Sequence, residues 1–270
     1  MRGLFTAGVL DVMLEQGIEY HGAVGVSAGA CFGCNYKSKQ VGRAIRYNER
    51  FCRDKRYCSF RSLITTGDLY GAEFCYRTIP EQLDVFDLDA FRANPMEFIV
   101  VCTDVVTGKP VYHVCREPET YLDWMRASAS MPLASRIVEI DGGKYLDGGI
   151  ADSIPLRFME GEGYTKNVVV LTQPPSYRKE KNSLLPLLKM CYRKYPGLVD
   201  ALAVRHERYN ETLDYIKKQK QAGQVFVIQP KEKLPVGHVE HNKEKLRKAY
   251  EIGRAQMTEQ LEELKRFLAE

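Results

Sequence analysis

The chain has 270 residues, 44% of them hydrophobic and 27% charged, a balance that excludes a disordered or fibrous protein and is enough to bury a core of its own. Its formal net charge of +4 demands no nucleic acid, and no basic-aromatic module signature accompanies that charge. No apolar run reaches the ~18 residues of a membrane span and the N-terminus lacks a signal-peptide pattern, so a cytoplasmic location is expected.

In chain order, the apolar spacing of residues 4–14 predicts a helix packed on a sheet. A helix in an α/β layer normally follows a strand. Either the domain begins on a helix, or residues that belong before Met1 are absent. Next, Gly22-Ala23-Val24-Gly25-Val26 has the length of a buried parallel strand, and residues 28–37 continue as a helix. Ser27 stands at the corner, in Gly25-Val26-Ser27-Ala28-Gly29. A G-x-S-x-G string arises by chance roughly 0.1 times in a chain this long, so the flanks decide. Strand, turn and helix are the context of a nucleophile elbow, with Gly25 and Gly29 clearing space around the hydroxyl. The bland alternative is a phosphate-binding or packing turn. Eight cysteines without regular spacing indicate free thiols, not a disulfide framework. Cys31 and Cys34 share a helix face, where two small buried residues fit better than a redox pair.

Residues 42–56 are rich in Arg, Tyr and Phe and read as a basic amphipathic helix with a solvated face, or one touching a lipid surface. Turn chemistry surrounds Gly67-Asp68, and residues 74–83 can form a further helix. Residues 97–103 and 110–114 are strands joined by the turn Thr107-Gly108-Lys109, a hairpin. Residues 121–130 are helical up to Pro132. Strands at 136–140 and 144–146 flank Asp141-Gly142-Gly143, an Asp-Gly hairpin turn. A second Asp-Gly-Gly, at Asp147-Gly148-Gly149, falls where the returning strand ends. There it presents a carboxylate, making Asp147 a candidate base, where the alternative is a surface turn. After a helix beyond Pro155, residues 167–172 form a continuous apolar strand suited to a parallel sheet. Residues 183–195 form an amphipathic helix, either an ordinary one or a lid or membrane-interface patch. A long helix from 196 to 221, a last strand at 224–229 and one or two helices over 243–269 close the chain. The alternation predicts a single α/β domain with a helical C-terminal extension.

Gly25-Val26-Ser27-Ala28-Gly29 followed later by Asp147-Gly148-Gly149 resembles the patatin-like phospholipases, in particular their bacterial cytosolic branch. The run Ser128-Ala129-Ser130-Met131-Pro132, the Asp152-Ser153-Ile154-Pro155 run and the helix bearing Gly253 fit as well. Arg2-Gly3 resembles the end of that family's G-G-G-x-R-G oxyanion motif. The resemblance implies a three-layer α/β/α sandwich around a central, mostly parallel sheet. Residues 1–175 would form the catalytic core, and 176–270 the remainder and the helical extension. It also implies an acyl hydrolase of lipid esters with neither cofactor nor metal, Ser27 as nucleophile and Asp147 as base. Asp147 should then be desolvated and held against Ser27, because a free aspartate of pKa ~3.9 is a poor base toward a hydroxyl. Ala28 N–H is an expected oxyanion donor, with Arg2 and Gly3 beside it. The three glycines preceding the arginine in that family are not in this sequence, which implies a start upstream of Met1 or a lipid binder that does not hydrolyse. A Ser-Asp-His triad using His238 or His241 is the competing mechanism. Transient contact with a membrane surface is expected, and nothing in the sequence fixes the oligomeric state.

Overall fold

The computed structural model describes residues 1–116 and 121–269. Helix α1 (Gly3–Glu15) leads to strand β1 (Gly22–Val26), and α2 (Ala28–Lys37) follows with only Ser27 between strand and helix. Helices α3 (Arg43–Phe51), α4 (Phe60–Thr66) and α5 (Leu88–Ala93), with a π-helical segment at Phe74–Leu83, fill the interval to β2 (Glu97–Asp104) and β3 (Pro110–Val114). Next come α6 (Tyr121–Ser128), β4 (Val138–Ile140), β5 (Gly143–Asp147), a 3₁₀ turn at Gly148–Ile150, α7 (Leu156–Gly161) and β6 (Asn167–Val170). The chain ends with α8 (Leu185–Cys191), α9 (Pro196–Gln221), β7 (Val225–Ile228), α10 (Lys243–Glu259) and α11 (Leu261–Ala269).

Strand β2 organises the larger sheet. Its apolar run from Phe98 to Cys102 is buried on both faces, as a central strand must be. β1 pairs with it in parallel, bringing Val26 opposite Val101. β5 pairs with it antiparallel, bringing Asp147 opposite Cys102. Because β3 spans both positions, pairing Val101 with Tyr112 and Cys102 with Val111, it occupies the opposite edge. β1 and β5 therefore share one edge of β2 and meet end to end. β4 extends the sheet beyond β5, so β1, β2 and β4 run one way while β3 and β5 return. β6 and β7 form a separate parallel pair.

Side-chain alternation makes the layers. On β7, Phe226 and Ile228 join the main core with Leu4, Phe5, Leu246 and Met257 of α1 and α10. Val225 and Val227 face the other way, onto Leu156 of α7 and Ile216 of α9. Farther along, α9 closes with α8 over Val105, Leu146 and Ile150. This is the expected α/β architecture, helices on both faces.

Several elements differ from the sequence-based expectation in extent. The helix expected at 42–56 begins after Gly42, which has φ +73°, and ends at Phe51. The one expected at 183–195 covers only Leu185–Cys191. Helices α4 and α5 were not expected, although both carry caps: Ser59 accepts from Ser62 N–H at 3.0 Å and Asp87 from Ala90 N–H at 2.8 Å.

α1, which carries Arg2 and Gly3 at its start, is gripped by α10 at two close backbone approaches. A Cβ on Gly8 would stand 2.1 Å from the Tyr250 carbonyl oxygen, and one on Gly253 would stand 2.0 Å from that of Phe5. Neither obstacle is a flexible side chain. Gly253→Ala is therefore expected to cost ~1–3 kcal/mol through overpacking, read as a lower urea midpoint; an unchanged midpoint would show that the helices are not in backbone contact.

Candidate active site

Ser27 holds φ 54° and ψ −120°, a conformation a residue with a side chain rarely adopts. The local sequence enforces it. β1 ends at Val26 and α2 starts at Ala28, so the chain reverses within one residue. A Cβ at Gly25 would lie 2.6 Å from the Cα of Ala30, so only glycine fits there. At Gly29 a Cβ would meet open space, so no neighbouring atom enforces glycine there. The strained backbone is tied down: Ser27 N–H donates to Ser128 Oγ at 2.9 Å, and that hydroxyl donates to the Val101 carbonyl at 2.6 Å.

Asp147 ends β5 and is buried. Its Oδ2 accepts from Ser27 Oγ at 2.6 Å, and its Oδ1 accepts from Gly149 N–H at 2.7 Å. Its own N–H donates to Ser130 O at 2.8 Å, and Thr103 Oγ1 donates to its carbonyl at 2.8 Å. Gly148 must be glycine, since a Cβ there would be 2.0 Å from the Val101 carbonyl oxygen. Burial pushes the Asp147 carboxyl above the ordinary carboxylate range, against the opposing pull of the Ser27 hydrogen bond, the Arg205 charge and the Gly149 N–H.

Gly3 opens α1 against the elbow: a Cβ on it would be 2.8 Å from the Ala28 Cβ. Two helix starts thus converge beside Ser27, and the N–H groups of Gly3 and Ala28 belong to first turns, which lack intrahelical acceptors. Arg2 precedes α1, and its charge reaches Lys179 and His238, helping to lower both their pKa values. Arg205 donates through Nε to the Gly149 carbonyl.

Other sequence candidates fall elsewhere. His241 bonds through Nδ1 to the Cys52 carbonyl oxygen, away from the pair. Burial and nearby cations hold His238 below its ordinary pKa. Among the described residues no histidine hydrogen-bonds to Ser27 or Asp147. Cys34 Sγ donates to the Cys31 carbonyl, and burial pushes Cys31 up to about 11 and Cys34 up to about 12, as inert thiols require. Ser128, Thr103, Lys179 and Arg205 carried no assigned role in the sequence. The two cations sit in charged stretches with no pattern to set them apart from solvent-facing neighbours.

A strained serine following one strand thus lies in contact with a buried aspartate that ends another, with no histidine between them among the described residues. The family model described as patatin-like phospholipase matches residues 1–159, and the chain belongs to that family. A second model, described only as a domain of unknown function (DUF6363), matches residues 195–269. The chain is 27% identical to the uncharacterized protein YjjU of Escherichia coli K12, over 94% of this chain and 72% of that protein. It is 25% identical to the uncharacterized NTE family proteins Rv1063c of Mycobacterium tuberculosis and Mb1092c of Mycobacterium bovis, over 76% of this chain and 56% of each relative. The family makes a lipid hydrolase the coarse assignment. Among the described residues no helix is long and apolar enough to cross a membrane.

The raised pKa of Asp147 has a consequence for stability. The folded state binds its proton more tightly than the unfolded state, so folding is penalised as pH rises past the ordinary value of 3.8, and the penalty is in full only above the raised folded-state value. Asp147→Asn, which keeps an acceptor for Gly149 N–H, is expected to have a melting temperature at pH 7 no lower than the parent. That difference should shrink as pH falls. A large loss of stability at pH 7 would contradict the burial penalty.

Proposed function

We propose that this chain hydrolyses carboxylic esters of lipids through a Ser27-Asp147 dyad and an acyl-enzyme. The observation that carries the proposal is the 2.6 Å contact between Ser27 Oγ and Asp147 Oδ2 at a strained elbow. Ser27 Oγ attacks the ester carbonyl carbon while its proton passes to Asp147. The negative tetrahedral oxygen is held by N–H donors at the converging helix starts, with Ala28 and Gly3 the candidates. Collapse expels the alcohol, which takes the proton from Asp147 and leaves the acyl group on Ser27. Water then attacks the acyl-serine, its proton again going to Asp147. The second collapse releases the fatty acid and returns the proton to Ser27. A desolvated carboxylate with a raised pKa is a better base for these transfers than one in water. Direct contact between serine and aspartate leaves no place for an imidazole, which disfavours the Ser-Asp-His alternative.

Contact with a lipid surface has its own support. α8 exposes Leu187 and Met190, with Leu184 exposed just before it, and α4 exposes Phe60 and Ile64 at 79% and 85%. The loop that begins at Ser130, the acceptor for Asp147 N–H, reaches both helices. Leu133 N–H donates to Tyr192 Oη just after α8, and Arg136 N–H donates to Asp68 just after α4. Large apolar side chains on the two helices that border one loop from the site suit docking on a bilayer.

Hydrolysis of a short-chain p-nitrophenyl ester should fall ~10³-fold or more in both Ser27→Ala and Asp147→Asn, with the acid limb of kcat/KM lying above the ordinary aspartate range. Activity that survives Asp147→Asn but is lost on replacing His238 or His241 would favour the triad. Lipid binding without any turnover would favour a non-catalytic binder. Separately, Ile64→Glu with Leu187→Glu should lower turnover of vesicle lipid about tenfold relative to turnover of a monomeric ester; equal loss on both would remove the docking role.

A further inference from the structure

Helix α9 begins beyond the stretch matched by the patatin-like model, inside the segment matched by the model of unknown function, yet one of its side chains reaches the loop that follows Asp147. Its placement is fixed at its first turn. A Cβ on Gly108, in the turn between β2 and β3, would stand 2.0 Å from the Gly197 carbonyl oxygen, so the two backbones touch. Leu198, Ala201 and Leu202 then bury against Val105, Leu146 and Ile150, which follow β2, lie on β5 and close the turn after Asp147. Arg205 stands one helical turn beyond Ala201 and Leu202, so it shares their inward face. There its Nε donates to the Gly149 carbonyl, and its Nη2 lies 3.2 Å from where a Cβ on Gly149 would stand.

Gly149 is held on both sides. Its N–H donates to Asp147 Oδ1 at 2.7 Å, and its carbonyl also accepts from Ser153 Oγ at 2.6 Å. Glycine is the residue whose backbone turns most readily. A carbonyl released at this position would let the N–H leave the carboxylate and free Asp147 to turn from Ser27. The guanidinium has no competing role: among the described residues no ion pair involves Arg205.

We propose that Arg205 is a positioning residue for the Ser27-Asp147 pair. By holding the Gly149 carbonyl it keeps Asp147 Oδ1 hydrogen-bonded and Oδ2 turned toward Ser27, so α9 belongs to the site although it lies outside the patatin-like stretch. Its effect on turnover rests on the ester-hydrolase reading; its effect on the Asp147 carboxyl does not. Besides Arg205, the groups that face this carboxyl are the Ser27 hydroxyl, Lys179 from the segment before α8, and the Cys31 and Cys102 thiols of α2 and β2. Burial lowers Lys179 to about 8 and pushes both thiols up, so none of these changes its charge in the acid range. The Arg205 charge and the Gly149 N–H both pull the Asp147 carboxyl down, and loss of either should let it rise.

Three substitutions separate position from charge. Glutamine puts an amide nitrogen where Nε stands, lysine puts its ammonium where the guanidinium carbon stands, and methionine supplies neither. The first readout is the Asp147 titration, followed by carboxyl-carbon NMR of aspartate-labelled protein, which needs no turnover. The Asp147 pKa is expected to rise most in Arg205→Met, less in Arg205→Gln, and to stay near the parent value in Arg205→Lys. The second readout is hydrolysis of a p-nitrophenyl ester above the acid limb. There kcat should fall ~10–100-fold in Arg205→Met with KM little changed, and Arg205→Gln should recover most of that loss. A lower melting temperature with the titration unmoved in Arg205→Met would assign Arg205 to packing alone and overturn the proposal, as would equal losses of kcat in Arg205→Met and Arg205→Gln. If Arg205→Met does not fold, Arg205→Gln keeps the hydrogen bond, and a titration that does not rise there overturns the proposal by itself. Titrations that move as expected in a parent that hydrolyses nothing would reject the hydrolase reading and leave Arg205 holding Asp147.

Discussion

Strand β2 carries two partners end to end on one edge, and the site depends on that sharing. β1 runs out at Val26, opposite Val101, and β5 runs in to Asp147, opposite the next residue, Cys102. Two strand ends facing each other across one residue step of a third strand must bring their terminal side chains together. The serine after β1 and the aspartate ending β5 have nowhere to go but into contact. The remaining details hold that junction. Ser128 bridges the elbow N–H to the Val101 carbonyl, and Thr103 ties the Asp147 carbonyl to β2. Gly148 lets the chain pass against the same Val101 carbonyl. The elbow conformation costs ~1–3 kcal/mol, and these hydrogen bonds are of the size needed to offset it.

Electrostatics at the junction pull in two directions. Burial makes the Asp147 carboxylate reluctant to stay charged, which strengthens it as a base. Converging helix starts, Arg205 and Lys179 place positive potential around it, which keeps the charged form accessible and favours a developing oxyanion. Burial raises the carboxyl while the Ser27 hydrogen bond, the Arg205 charge and the Gly149 N–H pull against it.

Much of this was legible in the sequence because it rests on short-range chemistry. The strand-turn-helix around Ser27, the two Asp-Gly-Gly runs and the order of the strands and longer helices follow from local pattern. The pairing of Ser27 with Asp147 was accessible only through family resemblance, since the β2 register that creates it is a long-range fact. α4 and α5 are too short for periodicity to register, though the caps Ser59 and Asp87 were present to be read. Ser128 looked like the end of an ordinary helix. Arg205 was invisible for a simpler reason: an arginine in a long charged helix announces nothing until the helix is docked against the Asp147 loop.

The central claim is that Asp147 alone makes Ser27 nucleophilic. Its most direct test is covalent trapping with a fluorophosphonate, followed by mass spectrometry of the labelled peptide and by labelling rates. The account predicts one adduct, on Ser27, formed with loss of fluoride, and a rate that collapses in Asp147→Asn while replacement of His238 and His241 leaves it intact. Labelling at Ser27 that is indifferent to Asp147, or that needs either histidine, would contradict it.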